Sequence, residues 1–345
     1  MVRVALDMMG GDLGVDATVS GLCLYAAEND CEDVVFDLFG NKRVIEEKLS
    51  KIPCRFQYKI HDTGDNVISG GEKPAKALKN GRGSSMFEAI NWVSQGNADA
   101  VVSSGNTGAY MALSKILIGT INGIDRPAIV SILPNLKSNT VMLDLGANTD
   151  CSAQKLLQFA MMGKAVSKVL QKLDNPRIGL LNIGTERTKG TDSLEKAYDL
   201  LESAEGLNFI GFVEGTDITK GTADVIVTDG FSGNISLKTM EGTIKYIVHV
   251  LKDGFSSSLM SKIGYLFCKN AIKTLKNAID PRNHNGAPLV GLKKISIKSH
   301  GNSDKIGFAH AISVAVQLAK AEFIKNIERM LSEIEKESSG ESKNS

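Results

Sequence analysis

The chain has 345 residues, and 40 Lys and Arg against 39 Asp and Glu leave a formal charge of +1, which gives no global field for gripping a nucleic-acid backbone. Hydrophobic residues at 42% and charged residues at 23% fit a soluble globular chain with a sizeable core and exclude a disordered or collagenous one. The longest charge-poor stretches, such as 100–114, are broken by Ser, Gly and Asn, so none supplies the roughly 20 apolar residues of a spanning helix.

Met1 runs through a short apolar segment into Asp7 and Asp12 with no signal-peptide pattern, so the expected location is the cytoplasm. Apolar, β-branched runs at 2–6, 34–39, 100–103, 128–133, 141–145, 178–182, 209–213 and 225–228 alternate with helical patterns. This alternation predicts an α/β sheet covered by helices on both faces. No linker divides the chain, so residues 1–337 are expected to form a single α/β catalytic unit of two intimately joined lobes. Helical spacing runs from Ala311 to about Ile334, and 338–345 reads as a polar tail. Cys23, Cys31, Cys54, Cys151 and Cys268 are scattered, without a C-x-x-C pair, and are expected to be buried structural thiols.

Several strand runs end in polar, glycine-rich loops, where an open α/β sheet gathers its ligands. Asp7 to Asp12 pairs two carboxylates with Gly10 and Gly11, which suit orienting donors, a cation or a substrate hydroxyl. Ser103 to Ala109, with Ser104, Gly105, Asn106 and Thr107, opens a helix and can present amides to phosphate; a tight turn is the plainer alternative. Asp144 to Asn148 and Thr228 to Asn234, with Asp229, repeat the plan. Asn182 to Lys189 carries Thr185, Glu186 and an ammonium suited to phosphate or an oxyanion, or else a solvated surface turn. His300 follows a short strand run and is a second-tier candidate. The Rossmann and P-loop fingerprints, H-E-x-x-H and G-x-S-x-G are absent, and no residue set demands a metal or cofactor.

In order, these loops, with Gly123 to Ala128, Lys189-Gly190 and His300-Gly301, closely resemble the acyl-acyl carrier protein:phosphate acyltransferase family, PlsX. Met8 and Asn302 depart from the family's usual residues without removing a charge. The resemblance implies a Rossmann-like three-layer sandwich similar to the isopropylmalate dehydrogenase and phosphotransacetylase group. It implies phosphorolysis of long-chain acyl-acyl carrier protein to acyl phosphate for phospholipid synthesis, by a homodimer whose product passes to a membrane glycerol-3-phosphate acyltransferase. The substrates are then acyl carrier protein and inorganic phosphate, and direct displacement is the preferred mechanism. Lys189, Asn106, Thr107 and His300 are the expected catalytic residues. Asp7, Gly10, Gly11, Asp12, Ser104, Gly105, Asn148, Thr185, Glu186, Asp229 and Asn234 are expected to line the same cleft.

Between residues 262 and 298, eight Lys and Arg face one acid, Asp280. Lys262, Lys269, Lys273 and Lys276 are therefore expected to dock the acidic carrier protein. Leu259, Ile263, Leu266 and Phe267 form an apolar helical face expected to touch a membrane, with a core or dimer contact as the alternative. The rival functions are a coenzyme A-dependent phosphotransacetylase-like enzyme and a non-catalytic lipid-binding scaffold.

Overall fold

The computed structural model describes residues 1–278, 280, 282 and 285–338. The strands, in chain order, are β1 Val2–Asp7, β2 Val34–Gly40, β3 Gln57–Asp62, β4 Ala100–Ser103, β5 Ala128–Pro134, β6 Asn139–Leu143, β7 Arg177–Leu181, β8 Asn208–Val213, β9 Val225–Val227, β10 Ala287–Val290 and β11 Ile295–Lys298. The helices are α1 Gly14–Glu28, α2 Lys42–Leu49, α3 Pro74–Asn80, α4 Ser85–Ser94, α5 Thr107–Leu117, α6 Ala153–Val166, α7 Asp192–Ser203, α8 Gly215–Lys220, α9 Gly230–Ser256, α10 Leu259–Ala278, α11 Lys305–Lys320 and α12 Phe323–Ser338.

All eleven strands join one sheet in the order β3-β2-β1-β4-β11-β10-β5-β6-β9-β7-β8. β1 to β4 and β11 run parallel where they pair, and so do β6, β9, β7 and β8. Between these halves lie three antiparallel pairings, β11 with β10, β10 with β5 and β5 with β6. An odd number of reversals leaves the two parallel halves pointing in opposite directions. The sheet is therefore mixed, and its direction changes at the β10–β5–β6 meander.

The central strands are apolar on both sides because helices cover both faces. One core cluster spans both halves on a single face, from Leu22, Leu38 and Phe308 to Phe159, Ile178 and Leu201. The opposite face is covered by α4 and α5 around Ile90, Tyr110 and Leu113, and by α8 and α9 around Leu133, Ile218 and Ile226. The continuous cluster explains the absence of a linker: both lobes bury apolar surface against the same layer.

Two sequence expectations change here. The terminal helical pattern divides into α11 and α12, with Glu322 at φ 50° between them, because both helices turn apolar residues inward around a corner. The second helix continues to Ser338; the rest of the expected tail, 339–345, lies outside the described residues. The cysteines are not five buried thiols. Cys23 and Cys54 form a disulfide with Cα atoms 5.4 Å apart, Cys31 and Cys151 are buried, and Cys268 is exposed.

Candidate functional site

The C-terminal ends of β1, β4 and β11 build the first group of functional side chains. Asp7 is fully buried and accepts from Ser103 Oγ at 2.6 Å, Ser85 Oγ at 2.7 Å and the Gly10 amide at 3.1 Å. Burial pushes its carboxyl pKa upward against those bonds. Ser103 Oγ in turn accepts from the Gly105 amide at 3.0 Å, and the Asp12 amide donates to Gly301 O at 2.7 Å. A Cβ on Gly10 would lie 2.4 Å from Asp7 Oδ2 and 2.8 Å from the Gly105 nitrogen, so these loops meet only because glycine stands there.

Ser104 is buried, and its Oγ has no hydrogen-bond partner. It precedes Asn106, the N-cap of α5, whose Oδ1 accepts from the Ala109 amide at 3.0 Å. The Asn106 Nδ2 donates to the carbonyls of Ser69, Gly70 and Glu72 at 2.8–3.1 Å. This corrects the expectation for two residues. Asn106 is consumed in pinning the 69–72 loop, and the Gly105 amide is taken by Ser103, so the first-turn amides of Thr107 and Gly108 remain for an anion.

Lys298 enters this group without having been singled out as a site residue. It ends β11 opposite Ser103 of β4, is only 7% exposed, and donates from Nζ to Ser299 O. Burial lowers its pKa to about 8 although Asp7 and Asp12 pull the other way. Its charge is therefore not part of the basic surface that the 262–298 count suggested. Asn285 braces the next turn, accepting from the His300 amide at 3.0 Å and donating to Ser299 Oγ and Ser303 Oγ at 2.8 Å each. Desolvation, the largest influence on His300, holds its imidazole below the usual range.

The second group occupies the C-terminal ends of β6, β7 and β9. Asp144, fully buried, accepts from the amides of Ile129, Ala147 and Asn148 at 2.7–3.1 Å and from Asn148 Nδ2 at 2.9 Å. Burial raises its pKa. Asn148 also donates to Pro127 O, and Asp229 caps α9 by accepting from the Ser232 amide at 2.7 Å. Asn148 and Asp229 thus act as scaffolding, while exposed Asn234 packs beside Gly146.

Lys189 is half-exposed and pairs with Glu186 at 2.8 Å on the turn after β7, next to exposed Thr185. The bond to Glu186 raises the lysine pKa, and the lysine lowers that of Glu186. Asn182 Nδ2 donates to Lys189 O at 2.9 Å and shapes this turn, where Gly190 has φ +102° and a Cβ would lie 2.5 Å from Asn182 Oδ1.

The two groups do not share one cleft within a protomer. Five strand spacings separate β11 from β7, or about 24 Å at roughly 4.8 Å each. The right-handed twist turns the strands about the transverse axis and leaves that spacing intact. Because β11 and β7 run oppositely, His300 and Asn182 also leave opposite edges of the sheet. No hydrogen bond or ion pair joins the groups among the described residues.

A cavity of about 700 Å³ lies between β5, α9 and the His300–Asn302 turn. Ile132, Leu133, Leu237, Met240, Ile244 and Val248 give it an apolar wall, and Lys238, Lys245 and Lys252 a cationic stripe. Beyond it α9 and α10 pair as a helical hairpin, with Phe255 edge-on to Tyr265 at 5.5 Å. On α10, Leu259, Ile263, Leu266 and Phe267 are exposed, the last at 87%, and Lys262, Lys269 and Lys273 occupy an adjacent exposed face. The side chain of Lys276 lies outside the described residues. No described helix is long and apolar enough to cross a membrane.

Three-layer α/β architecture with glycine-bound loops at strand ends defines a ligand-binding class of fold, and comparison with known proteins specifies it. A family profile described as "Fatty acid synthesis protein" matches residues 2–326, and the chain belongs to that family. A phosphate acyltransferase of Paramagnetospirillum magneticum is 46% identical over 319 residues, covering 92% of this chain and 90% of the relative. One from Rhodospirillum centenum is 46% identical over 333 residues, covering 96% and 93%. Among solved structures, a phosphotransacetylase from Streptococcus pyogenes superposes with a TM-score of 0.62 at 17% identity, covering 93% of this chain and 94% of that one. That likeness places the fold in the phosphotransacetylase group.

Proposed function

We propose that this chain is a phosphate acyltransferase that moves a long-chain acyl group from the thioester of an acyl carrier protein to inorganic phosphate. The relatives of that name support the reaction class. The observation that carries it in this chain is the buried, unpartnered Ser104 hydroxyl beside the first turn of α5. A buried hydroxyl without a partner costs stability unless a ligand supplies one, and a helix N-terminus favours an anion.

Phosphate held there by Ser104 Oγ and the amides of Thr107 and Gly108 is substantially dianionic at neutral pH, so it needs no strong base. One phosphate oxygen attacks the thioester carbonyl carbon, and the carbonyl becomes an oxyanion. Collapse breaks the C–S bond, the sulfur leaves as thiolate, and it takes up the proton that the phosphate carried. The products are acyl phosphate and carrier thiol. Neutral His300, at the cavity mouth, can hydrogen-bond the departing sulfur, and the apolar cavity wall accommodates the chain. Lys245, on the wall of the same cavity, supplies positive charge for the oxyanion, whereas Lys189, expected from the sequence in that role, lies about 24 Å away across the sheet of the same chain. Asp7 serves by fixing Ser103 and thereby Gly105.

Lys262, Lys269 and Lys273 form the carrier docking face, and Leu259, Ile263, Leu266 and Phe267 a peripheral membrane contact that brings acyl phosphate to a membrane glycerol-3-phosphate acyltransferase. Glu at Lys269 and Lys273 should raise the carrier KM in a salt-sensitive way, and Asp at Phe267 should weaken flotation with anionic liposomes. Unchanged values would remove these two surfaces. The reaction itself is tested with pure protein, palmitoyl-acyl carrier protein and phosphate, with acyl phosphate trapped as hydroxamate. Phosphate-dependent product confirms it; product from coenzyme A thioester alone would favour the phosphotransacetylase-like alternative, and no product the scaffold.

A further inference from the structure

We infer that a second cavity, between β3 and α4, binds a flat, amino-substituted nitrogen heterocycle of the purine class, presented as a nucleoside or as the base of a nucleotide. This site stands apart from the phosphate acyltransferase reading, because none of its lining residues belongs to either group of loops described above.

Strand register and helical spacing build the cavity. Phe39 of β2 stands opposite His61 of the edge strand β3, so the two rings share one face of the sheet and stack with centroids 4.5 Å apart, 7° from parallel. On α4 and its C-cap, Glu88, Asn91, Trp92 and Gln95 recur at the three- and four-residue spacing of one helix face, and Trp92 meets His61 at 4.6 Å. His61 Nε2 is hydrogen-bonded at 2.8 Å to fully buried Asp37, which also accepts from Arg3 Nε at 3.1 Å and Nη2 at 2.9 Å, so the ring is fixed before any ligand arrives. The cavity measures about 440 Å³, within the roughly 300–1,000 Å³ of small-molecule sites.

Its unmet hydrogen bonds define the ligand. Among the described residues four buried side-chain polar atoms have no partner, and two of them, Trp92 Nε1 and Thr63 Oγ1, belong to residues that line this cavity. An indole N–H is a donor only, so the ligand must carry an acceptor. Glu88 uses Oε1 for the Gly83 amide at 3.0 Å, and Asp62 uses Oδ1 for the amides of Lys42 and Gly64 at 3.1 Å each, which leaves one carboxylate oxygen of each for ligand N–H groups. Among the described residues lining the cavity none is Lys or Arg, so an anion would meet carboxylates and no cation there. A simple organic cation would match the rings and the carboxylates but bring no acceptor for the indole. An aminopurine answers every group: its face stacks on the aromatic wall, its ring nitrogens accept from Trp92 and Thr63, and its exocyclic amino group donates to Glu88 or Asp62.

Trp92 is the single tryptophan of the chain, so its fluorescence reports this cavity alone. The test titrates the full chain with adenosine, exciting where the purine does not absorb, and follows binding in parallel by calorimetry. Stacking should quench the emission saturably with a Kd on the order of 100 μM, the scale that ligand efficiency sets for a molecule of this size. Inosine, with a carbonyl in place of the amino group, should bind at least about 10-fold more weakly. Thr63→Val keeps the side chain's shape without its hydroxyl, and Glu88→Gln removes the charge while keeping an acceptor for Gly83. Each should weaken adenosine binding by about 5-fold or more and leave thermal unfolding and acyl phosphate formation as in the wild type. The inosine comparison needs no variant and decides the matter even where a substitution fails to fold. Adenosine 5′-monophosphate separates the sources: affinity equal to or tighter than that of adenosine identifies a nucleotide whose phosphate stays in solvent, weaker affinity identifies the nucleoside, and both support the site. The inference is overturned by calorimetric binding without quenching, by no quenching at about 100 times the expected Kd, by equal affinity for inosine, by wild-type affinity in both variants, or by quenching with choline and not adenosine.

Discussion

Replacing Lys298 by methionine tests the account of the first group at its buried ammonium. The ammonium is 7% exposed, and its pKa falls from the usual 10.5 to about 8, with burial as the largest cause. At 1.36 kcal/mol for each tenfold change in proton affinity, that drop is equivalent to about 3 kcal/mol. The sign follows from proton linkage. Between pH 8 and 10.5 the unfolded chain binds the lysine proton and the folded chain does not, so folding is favoured as pH rises through this window. Below pH 8 the charged lysine costs the fold the full amount. Methionine fills similar space without the charge, so the variant lacks that pH-dependent rise. Urea unfolding of both proteins at about pH 7 and about pH 10.5 gives four stabilities. The wild type should gain on the variant by about 3 kcal/mol between the two pH values, and the other groups that titrate there, Cys151 and Tyr25 among them, cancel in the comparison. Parallel behaviour within about 0.5 kcal/mol would mean that the ammonium is not desolvated, and the description of Lys298 would be wrong.

Asn106→Ala removes the α5 cap and three bonds to the 69–72 loop, so it should lower stability by about 2 kcal/mol and expose that loop to limited proteolysis, read by mass spectrometry. Gly233→Ala would place a Cβ 1.9 Å from Asp144 O, and thermal unfolding should show a loss of at least about 2 kcal/mol. On the same helix Gly254 has open space around it, and Gly254→Ala should gain up to about 1 kcal/mol. Ile244→Trp narrows the cavity, and kcat/KM should fall more for long acyl chains than for short ones. Equal losses at all chain lengths would place the acyl chain elsewhere.

The strand runs, the loops at their ends and the alternation of strand with helix were legible in the sequence because each depends on neighbours within about ten residues: β-branched runs, N-cap residues and glycines. The family resemblance was legible for the same reason, since its motifs are these loops. β10 was missed because only Pro288 to Val290 carry its apolar pattern, and β3 because its residues are mostly exposed and polar. Lys298 looked like one more surface lysine; nothing local shows that Asp7, Asp12 and three strands close over it. Asn106 looked like a ligand donor, and only the return of the 69–72 loop turned its amide into a clamp.

Strand direction is the larger case. Five glycine-rich loops read along a chain imply one cleft, because an open parallel sheet has one carboxyl edge. Here the β10–β5–β6 meander reverses direction three times and sends the Lys189, Asp144 and Asp229 loops to the other edge. Sequence by itself therefore determined which segments become strands, helices and glycine-rich turns, through backbone preferences that act over a few residues. Tertiary structure alone decided which turns face one another, which charges lose their water and which apolar side chains stay exposed, because those depend on pairing between strands more than a hundred residues apart.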